Sequence, residues 1–358
     1  MELEELRDNI DRVDNEILAL LNERMKYVHK VGELKNKTGG AIYRPEREQA
    51  IINRLTKLSQ ESNGALCRKS IEAIFYEIIG VAKNLERSEK VAYLGPIGTF
   101  THQATQSRFG AIKDYIPLGS ISSVFKAVDS NRASYGVVPI ENSSDGVVGE
   151  TLDLLGEYNL NIVSEIYMPI HHSFASLSTS TDKINKIYSK DKAFGQCREF
   201  LSEYGLEDAE QIPVESTAKA AQLAMLDDKA GAICLHIAAK INHLPILYDN
   251  IEDRHDNKTR FIVISKVENA KSGNDKTSIL AKLSNAKGSL VKFLQEFDEA
   301  GINLSKIESR PSNTDEAFSY WFYIDFDGHI EDENVKKILE KHNDIKLLGS
   351  YTRSSSAV

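Results

Sequence analysis

The sequence predicts a multidomain chain: an all-α N-terminal segment, a central α/β segment and a C-terminal α+β segment. Three observations carry this reading. Apolar residues step by three and four from Leu3 to Leu34, the spacing of one helix face. From Val91 onward, short β-branched runs end in small polar turns and lead into helical patterns, the alternation of α/β proteins. From Ser278 the pattern reads strand, helix, strand, strand, helix, strand.

Bulk properties narrow the function classes. A length of 358 residues suits two or three domains, and 41% apolar with 27% charged residues is ordinary for a globular protein. A formal charge of −9 argues against a general nucleic-acid surface, while leaving room for a locally basic pocket that takes small anions. Cys67, Cys197 and Cys234 are scattered without CxxC spacing, which favours free thiols in a reducing compartment and no zinc or disulfide framework. The acidic, amphipathic start from Met1 to Glu5 is unlike a signal peptide. No apolar run reaches the ~18 residues of a membrane span. The expectation is a cytoplasmic protein with neither nucleic-acid nor membrane partners and no metal.

The first helix carries Leu3, Leu6, Ile10, Val13, Ile17, Leu20, Tyr27, Val31 and Leu34 on one face. At ~1.5 Å per residue it runs about 50 Å, too long for a small domain to cover alone, so a partner chain is expected. Arg24 falls in this apolar seam, and Lys35, three turns plus about 20° further on, faces the same way. Cations in an apolar seam are costly unless an anion meets them. Gly39 and Gly40 end the helix. Pro45 opens a second, with Arg47 and Glu48 in its first turns, and a third is predicted over 66–87, with Glu86 one turn beyond Ala82.

Arg7, Arg24, Lys35, the turn from Arg44 to Glu48, and Glu86, on three helices of this spacing, resemble the all-helical chorismate mutases over residues 1–88. The resemblance implies an interlocked homodimer in which Arg24 and a partner-chain Arg7 hold the two substrate carboxylates. Helical geometry agrees, because Arg7 and Arg24 lie roughly 25 Å and about 100° apart on one helix and cannot both reach one small ligand. The implied reaction is a cofactor-free rearrangement of chorismate, catalysed by holding the dianion compact and stabilising charge on the breaking ether oxygen. Lys35 and Glu86 take that oxygen in this reading, Glu48 the ring hydroxyl, and Arg47 supports the site. Two positions depart from the family pattern: Glu86 stands where many bacterial members carry Gln, and Arg44 where some carry Asp. A carboxyl group donates a hydrogen bond only when protonated, a form that burial favours. Mutase activity is therefore expected to fall as pH rises and Glu86 ionises. A flat pH profile, unchanged by Glu86→Gln, would contradict this.

In the centre, strand 91–94 leads through Gly95, Pro96, Gly98, Thr99 and Phe100 into a helix. This turn is neither a P-loop nor a dinucleotide GxGxxG, although backbone N–H groups at a helix start attract carboxylates. Three further strand ends deliver small polar residues. Strand 136–140 delivers Glu141, Asn142 and Ser143, strand 212–214 delivers Glu215, Ser216 and Thr217, and Ser189 precedes Gln196 and Cys197. Thr259 and Arg260 stand at the mouth of the apolar run 261–264. Several such ends can converge on one anionic ligand.

Together these motifs resemble the prephenate dehydratases across 90–268. The resemblance implies two α/β lobes flanking a cleft, the second lobe near 171–250. The implied reaction takes prephenate to phenylpyruvate, CO2 and water, driven by aromatisation. Thr259 is then the key residue, a hydrogen-bond donor to the departing hydroxyl. Arg260 orients a loop or a carboxylate, and Glu141, Asn142, Ser143, Gln196, Glu215, Ser216, Thr217 and Phe261 line the cleft. The proton is supplied through His102, Glu141 or Glu215. Arogenate is an alternative substrate, and a catalytically silent phenylalanine sensor is an alternative function. The adjacent pair His171–His172 reads as two opposite strand faces without metal-ligand spacing and is not assigned to the site.

After a polar linker at 268–276 come strand 278–283, helix 288–300, strands 303–308 and 318–326, helix 334–342 and strand 345–348, a ferredoxin-like order. Gly288, Ser289, Leu290 and Val291, with Glu308, Ser309, Arg310 and Pro311, resemble the amino-acid-binding motifs of ACT domains, here over 276–358. Ser289 replaces the usual Ala. The resemblance implies phenylalanine bound between paired domains and feedback inhibition of the dehydratase. The whole chain thus resembles the bifunctional enzymes that make phenylpyruvate from chorismate.

Overall fold

The computed structural model describes residues 3–38, 45–86, 89–110, 114–284, 286–311, 320–342 and 344–354. The chain divides into two compact units, Met1–Glu89 with Arg108–Asp114, and Lys90–Ser107 with Tyr115–Val358.

The first unit is built on α1 (Leu3–Thr38), α2 (Pro45–Glu61) and α3 (Arg68–Glu86). Pro45 suits a first helical position because its missing N–H would have no partner there. Ile52 of α2 and Ile71, Ile79 and Ala82 of α3 are buried. The seam of α1 is not: Leu3, Ile10, Leu20, Tyr27 and Leu34 are each at least 59% exposed in the single chain. The expected Gly39–Gly40 helix end and Arg44 lie outside the described residues, as do the side chains of Lys35 and Glu86.

The second unit holds three sheets. Strands β1 (Val91–Leu94), β2 (Tyr115–Leu118), β3 (Tyr135–Asn142), β4 (Gly146–Val147) and β5 (Asn161–Pro169) belong to the first lobe, with helices α4 (Phe100–Phe109, whose last two residues count with the first unit), α5 (Ile121–Asp129) and α6 (Gly149–Glu157). The chain then crosses into a second lobe made of β6 (Ser173–Ser176), β7 (Lys186–Ser189), α7 (Asp191–Gln196), α8 (Arg198–Glu203), β8 (Glu210–Pro213), α9 (Thr217–Ala224), β9 (Ala230–Cys234), α10 (His236–Ile241) and β10 (Ile246–Asp249). It returns as β11 (Lys258–Ser265), which inserts between β3 and β5 and runs antiparallel to both. Buried along almost its whole length, β11 can carry the unbroken apolar run Phe261–Ile262–Val263–Ile264.

The tail folds as β12 (Asp275–Lys282), α11 (Ser289–Glu299), β13 (Leu304–Pro311), β14 (Tyr320–Asp327), α12 (Glu333–Leu339) and β15 (Ile345–Thr352). Its sheet order is β13-β14-β12-β15, antiparallel throughout, which is the ferredoxin-like arrangement. The predicted polar linker does not leave this sheet tethered at a distance. Leu280, Tyr323, Leu348 and Tyr351 of the tail share one core with Ile140, Leu152, Ile162 and Ile262 of the first lobe. The backbones come close at Gly349, whose φ is +139° and where a Cβ would sit 2.3 Å from the Ile162 carbonyl oxygen. Gly349→Ala is therefore expected to destabilise the second unit by about 1–3 kcal/mol, because both the backbone and the overpacked contact must yield. Urea unfolding checks this, and an unchanged midpoint would contradict it.

Candidate active site

Between the two lobes lies a cleft of about 560 Å³, within the ~300–1,000 Å³ typical of small-molecule sites. Topology explains how its polar groups meet. Because β11 is antiparallel to β3, its N-terminal end lies beside the C-terminal end of β3, and Thr259 is paired in register with Asn142.

The Asn142 amide is held at both ends. Its Oδ1 accepts the N–H groups of Ser144 and Asp145, each at 2.9 Å. This turns Nδ2 toward Asn257 Oδ1 at 2.9 Å and Thr259 Oγ1 at 2.8 Å. With one Oγ1 lone pair already accepting from Asn142, the Thr259 hydroxyl hydrogen is available to donate to another group in the cleft. Ser143 braces this turn without lining the cleft, its Oγ accepting from the Lys258 N–H at 2.9 Å.

The second lobe supplies Gln196, Glu215, Ser216 and Thr217 to the wall. Ser216 Oγ accepts from the Lys219 N–H at 3.1 Å, capping α9 and bringing the helix start to the cleft. Thr99 and Phe100, at the start of α4, face it as well. Here the structure adds residues that sequence reasoning missed. His172 lies in the crossover between the lobes, not on a strand, and its Nε2 donates to Gln196 Oε1 at 2.9 Å. Burial pushes its pKa down, which keeps the ring neutral. Asn257, Lys190 and Lys192 also line the cleft. Opposite-facing neighbours were the available signal at His171–His172, since one of the two was free to face a site. The lysines sit in no motif.

Strand alternation sends other expected residues elsewhere. Thr259 and Phe261 face the cleft, whereas the Arg260 side chain projects to the opposite face and is only 4% exposed. Its guanidinium donates to Glu165 at 3.0 Å, Asp325 at 2.6 Å and the Tyr351 hydroxyl at 3.0 Å. Lys276 Nζ completes the cluster, 2.8 Å from Glu165. Glu141, paired in register with Arg260, likewise turns to the tail and meets Lys306 at 2.6 Å. His102 is also outside the lining. It stacks on Tyr93 at 5.2 Å, and its Nδ1 accepts from the Gly98 N–H at 3.2 Å while burial lowers its pKa. Of the three relay groups expected from sequence, Glu215 is the one that lines the cleft.

In the helical unit, Arg7 is exposed and Arg24 half-buried along α1, and Arg47 is exposed at the start of α2. Glu48 is 4% exposed, its carboxylate meeting Lys83 and, at 3.1 Å, Arg108. Desolvation lowers the Lys83 pKa against the pull of Glu48. In the tail, Gly288 precedes α11 with φ +80°, Ser289 Oγ donates to the Ser284 carbonyl at 2.7 Å, Leu290 is half-buried and Val291 is 67% exposed. Glu308, Ser309, Arg310 and Pro311 lie on the edge strand β13, and Arg310 pairs with Asp153 of α6 at 2.7 Å. Among the described residues no cluster suited to a metal ion and no helix long and apolar enough to cross a membrane is found.

Comparison with known proteins agrees with this architecture. Residues 91–269 match the prephenate dehydratase family, and residues 6–87 match chorismate mutase type II. The bifunctional chorismate mutase/prephenate dehydratase of Aquifex aeolicus is 46% identical over 99% of this chain and 98% of its own length. The prephenate dehydratase of Methanocaldococcus jannaschii is 40% identical, covering 74% of this chain and 98% of its own. Among solved structures, a prephenate dehydratase from Arthrobacter aurescens in complex with L-Phe is 35% identical, covers 74% of this chain and 90% of its own, and aligns with a TM-score of 0.66. The chain belongs to the family of bifunctional chorismate mutase/prephenate dehydratases.

Proposed function

We propose that the chain carries out two consecutive steps of phenylalanine biosynthesis, chorismate to prephenate in residues 1–88 and prephenate to phenylpyruvate in 90–268, under feedback from phenylalanine bound in 276–358. The observation that carries the second step is the pair Asn142–Thr259, 2.8 Å apart at the cleft wall. Asn142 occupies a lone pair of the Thr259 oxygen, so the hydroxyl donates to the leaving oxygen as the C–O bond breaks. Loss of the ring carboxylate as CO2 provides the electron pair that expels hydroxide, and one proton turns hydroxide into water. Glu215 is the relay for that proton, since His102 and Glu141 are engaged elsewhere.

For the first step, the half-buried Arg24 and the exposed seam of α1 support a homodimer in which a second copy covers the stripe and contributes Arg7. Lys35 and Glu86 act on the ether oxygen, Glu48 takes the ring hydroxyl and Arg47 supports the site. No cofactor enters either reaction. Free thiols at Cys67, Cys197 and Cys234 fit a cytoplasmic location. In the tail, Gly288–Val291 and Glu308–Pro311 bind phenylalanine, a reading supported by the L-Phe complex of the Arthrobacter aurescens relative. The tail shares a core with the lobe that carries Thr259, which gives bound phenylalanine a packed route to the cleft.

The test is dehydratase turnover of the full chain on prephenate, with phenylalanine added or withheld. Turnover that phenylalanine lowers supports the reading. A rate indifferent to millimolar-range phenylalanine overturns the regulatory part, and absence of phenylpyruvate overturns the catalytic part.

A further inference from the structure

A substrate with two carboxylates calls for cations, and the strand that presents Thr259 supplies none to the cleft. Arg260 points the other way and is consumed by Glu165 and Asp325. His172 is held neutral by burial, against the hydrogen bond to Gln196. Among the described residues lining the cleft, the side chains with a full positive charge are Lys190 and Lys192. They flank Asp191 at the start of α7, on the second lobe.

The two lysines differ in what already holds them. Lys192 Nζ meets Asp145 Oδ2 at 2.9 Å, and Asp145 belongs to the turn after β3, whose preceding Asn142 orients Thr259. This ion pair therefore spans the mouth of the cleft from one lobe to the other. Its side chains are 62% and 48% exposed, so solvent screens it and an incoming carboxylate can compete for the ammonium. Lys190 has no ion-pair partner among the described residues and is exposed at the same rim. An unclaimed ammonium on a cleft wall is a ready site for a carboxylate, as a compact and strongly hydrated point charge.

We propose that Lys190 and Lys192 are the carboxylate-binding cations of the dehydratase cleft, with Lys190 as the primary contact and Lys192 shared between the substrate and Asp145. This rests on the reading of the cleft as a dehydratase site. It moves the task of neutralising the substrate from the motif arginine to two lysines of the second lobe. Substrate charge then draws on both lobes at once: Thr259 of the first presents the donor, and α7 of the second holds the anion.

The experiment measures KM and kcat for prephenate in wild type, Lys190→Gln, Lys192→Gln, the double variant and Lys190→Arg, each as the full chain at several salt concentrations. Lys190→Gln is expected to raise KM about tenfold and the double variant about a hundredfold, with a smaller change in kcat, because binding a charge common to substrate and transition state acts on KM. Lys190→Arg is expected to recover most of the affinity, and the rise of wild-type KM with salt is expected to flatten in the double variant. Mutase turnover in the same samples reports folding and is expected to be unchanged. A double variant with KM within about twofold of wild type and the same salt dependence overturns the proposal. Should wild type fail to convert prephenate, the dehydratase reading falls, and calorimetric titration of prephenate then decides the lysines alone: binding that the double variant loses supports them, and binding that it keeps, or none in wild type, overturns them.

Discussion

Thr259→Ala is expected to lower dehydratase turnover by about 10²–10⁴-fold, the range for losing a positioned proton donor. The effect should fall on kcat, because the hydroxyl serves the departing oxygen more than the bound substrate. The fold supports so local a loss. Thr259 is 9% exposed at the end of a strand paired on both sides, and the methyl of Ala leaves the backbone ladder to Asn142 and Met168 intact. Asn142 Nδ2 would lose one of its acceptors but keep Asn257 Oδ1. Thr259→Ser, which restores a hydroxyl at the same place, should recover much of the rate. Steady-state assay of phenylpyruvate release checks this, with mutase turnover as the internal control. A Thr259→Ala enzyme of unchanged kcat would show that the chemistry lies elsewhere in the cleft.

Arg260→Ala is expected to act by another route, destabilising the second unit by about 3–5 kcal/mol. Its guanidinium is buried against Glu165 and Asp325, which are 4% and 0% exposed, so truncation leaves buried carboxylate without its main counter-charge. Lys276 still faces Glu165, and Ser278 still donates to Asp325, which bounds the loss. Asp325 sits on β14 of the tail and Arg260 on β11 of the first lobe, so the cluster joins the two through buried charge. Pairing Arg260→Met with Asp325→Asn removes both charges together and should recover part of the stability. Urea unfolding measures each variant. An Arg260→Ala protein with normal unfolding and a raised KM for prephenate would instead return this residue to direct substrate binding.

These two neighbours illustrate what was legible in the sequence. The strand through Phe261–Ile264, its mouth at Thr259 and the partner turn at Asn142 follow from apolar runs and polar strand ends. The same period-2 rule that places Thr259 in the cleft sends Arg260 out of it. What sequence could not supply was which face of β11 the tail would cover, because that depends on Asp325 and Tyr351, 65 and 91 residues further along the chain. The α1 seam is readable from its three-and-four spacing, and in the single chain it is exposed. The carboxylate of Glu48 meets Lys83 and Arg108, and no local pattern announces an ion pair between separate helices. Lys190 precedes a short helix and Lys192 lies in its first turn, outside any motif, so only the folded cleft brings them together. His172 belongs to no motif, and only the fold sets its neutral imidazole against Gln196.

Whether one chain performs both steps is decided by supplying chorismate alone to the purified full chain and following prephenate and phenylpyruvate in time. Prephenate is expected to appear first and then to be consumed as phenylpyruvate accumulates, and added phenylalanine is expected to slow the second phase and leave prephenate standing. Chorismate left unconsumed, or prephenate that accumulates without yielding phenylpyruvate when phenylalanine is absent, would contradict the two-step reading.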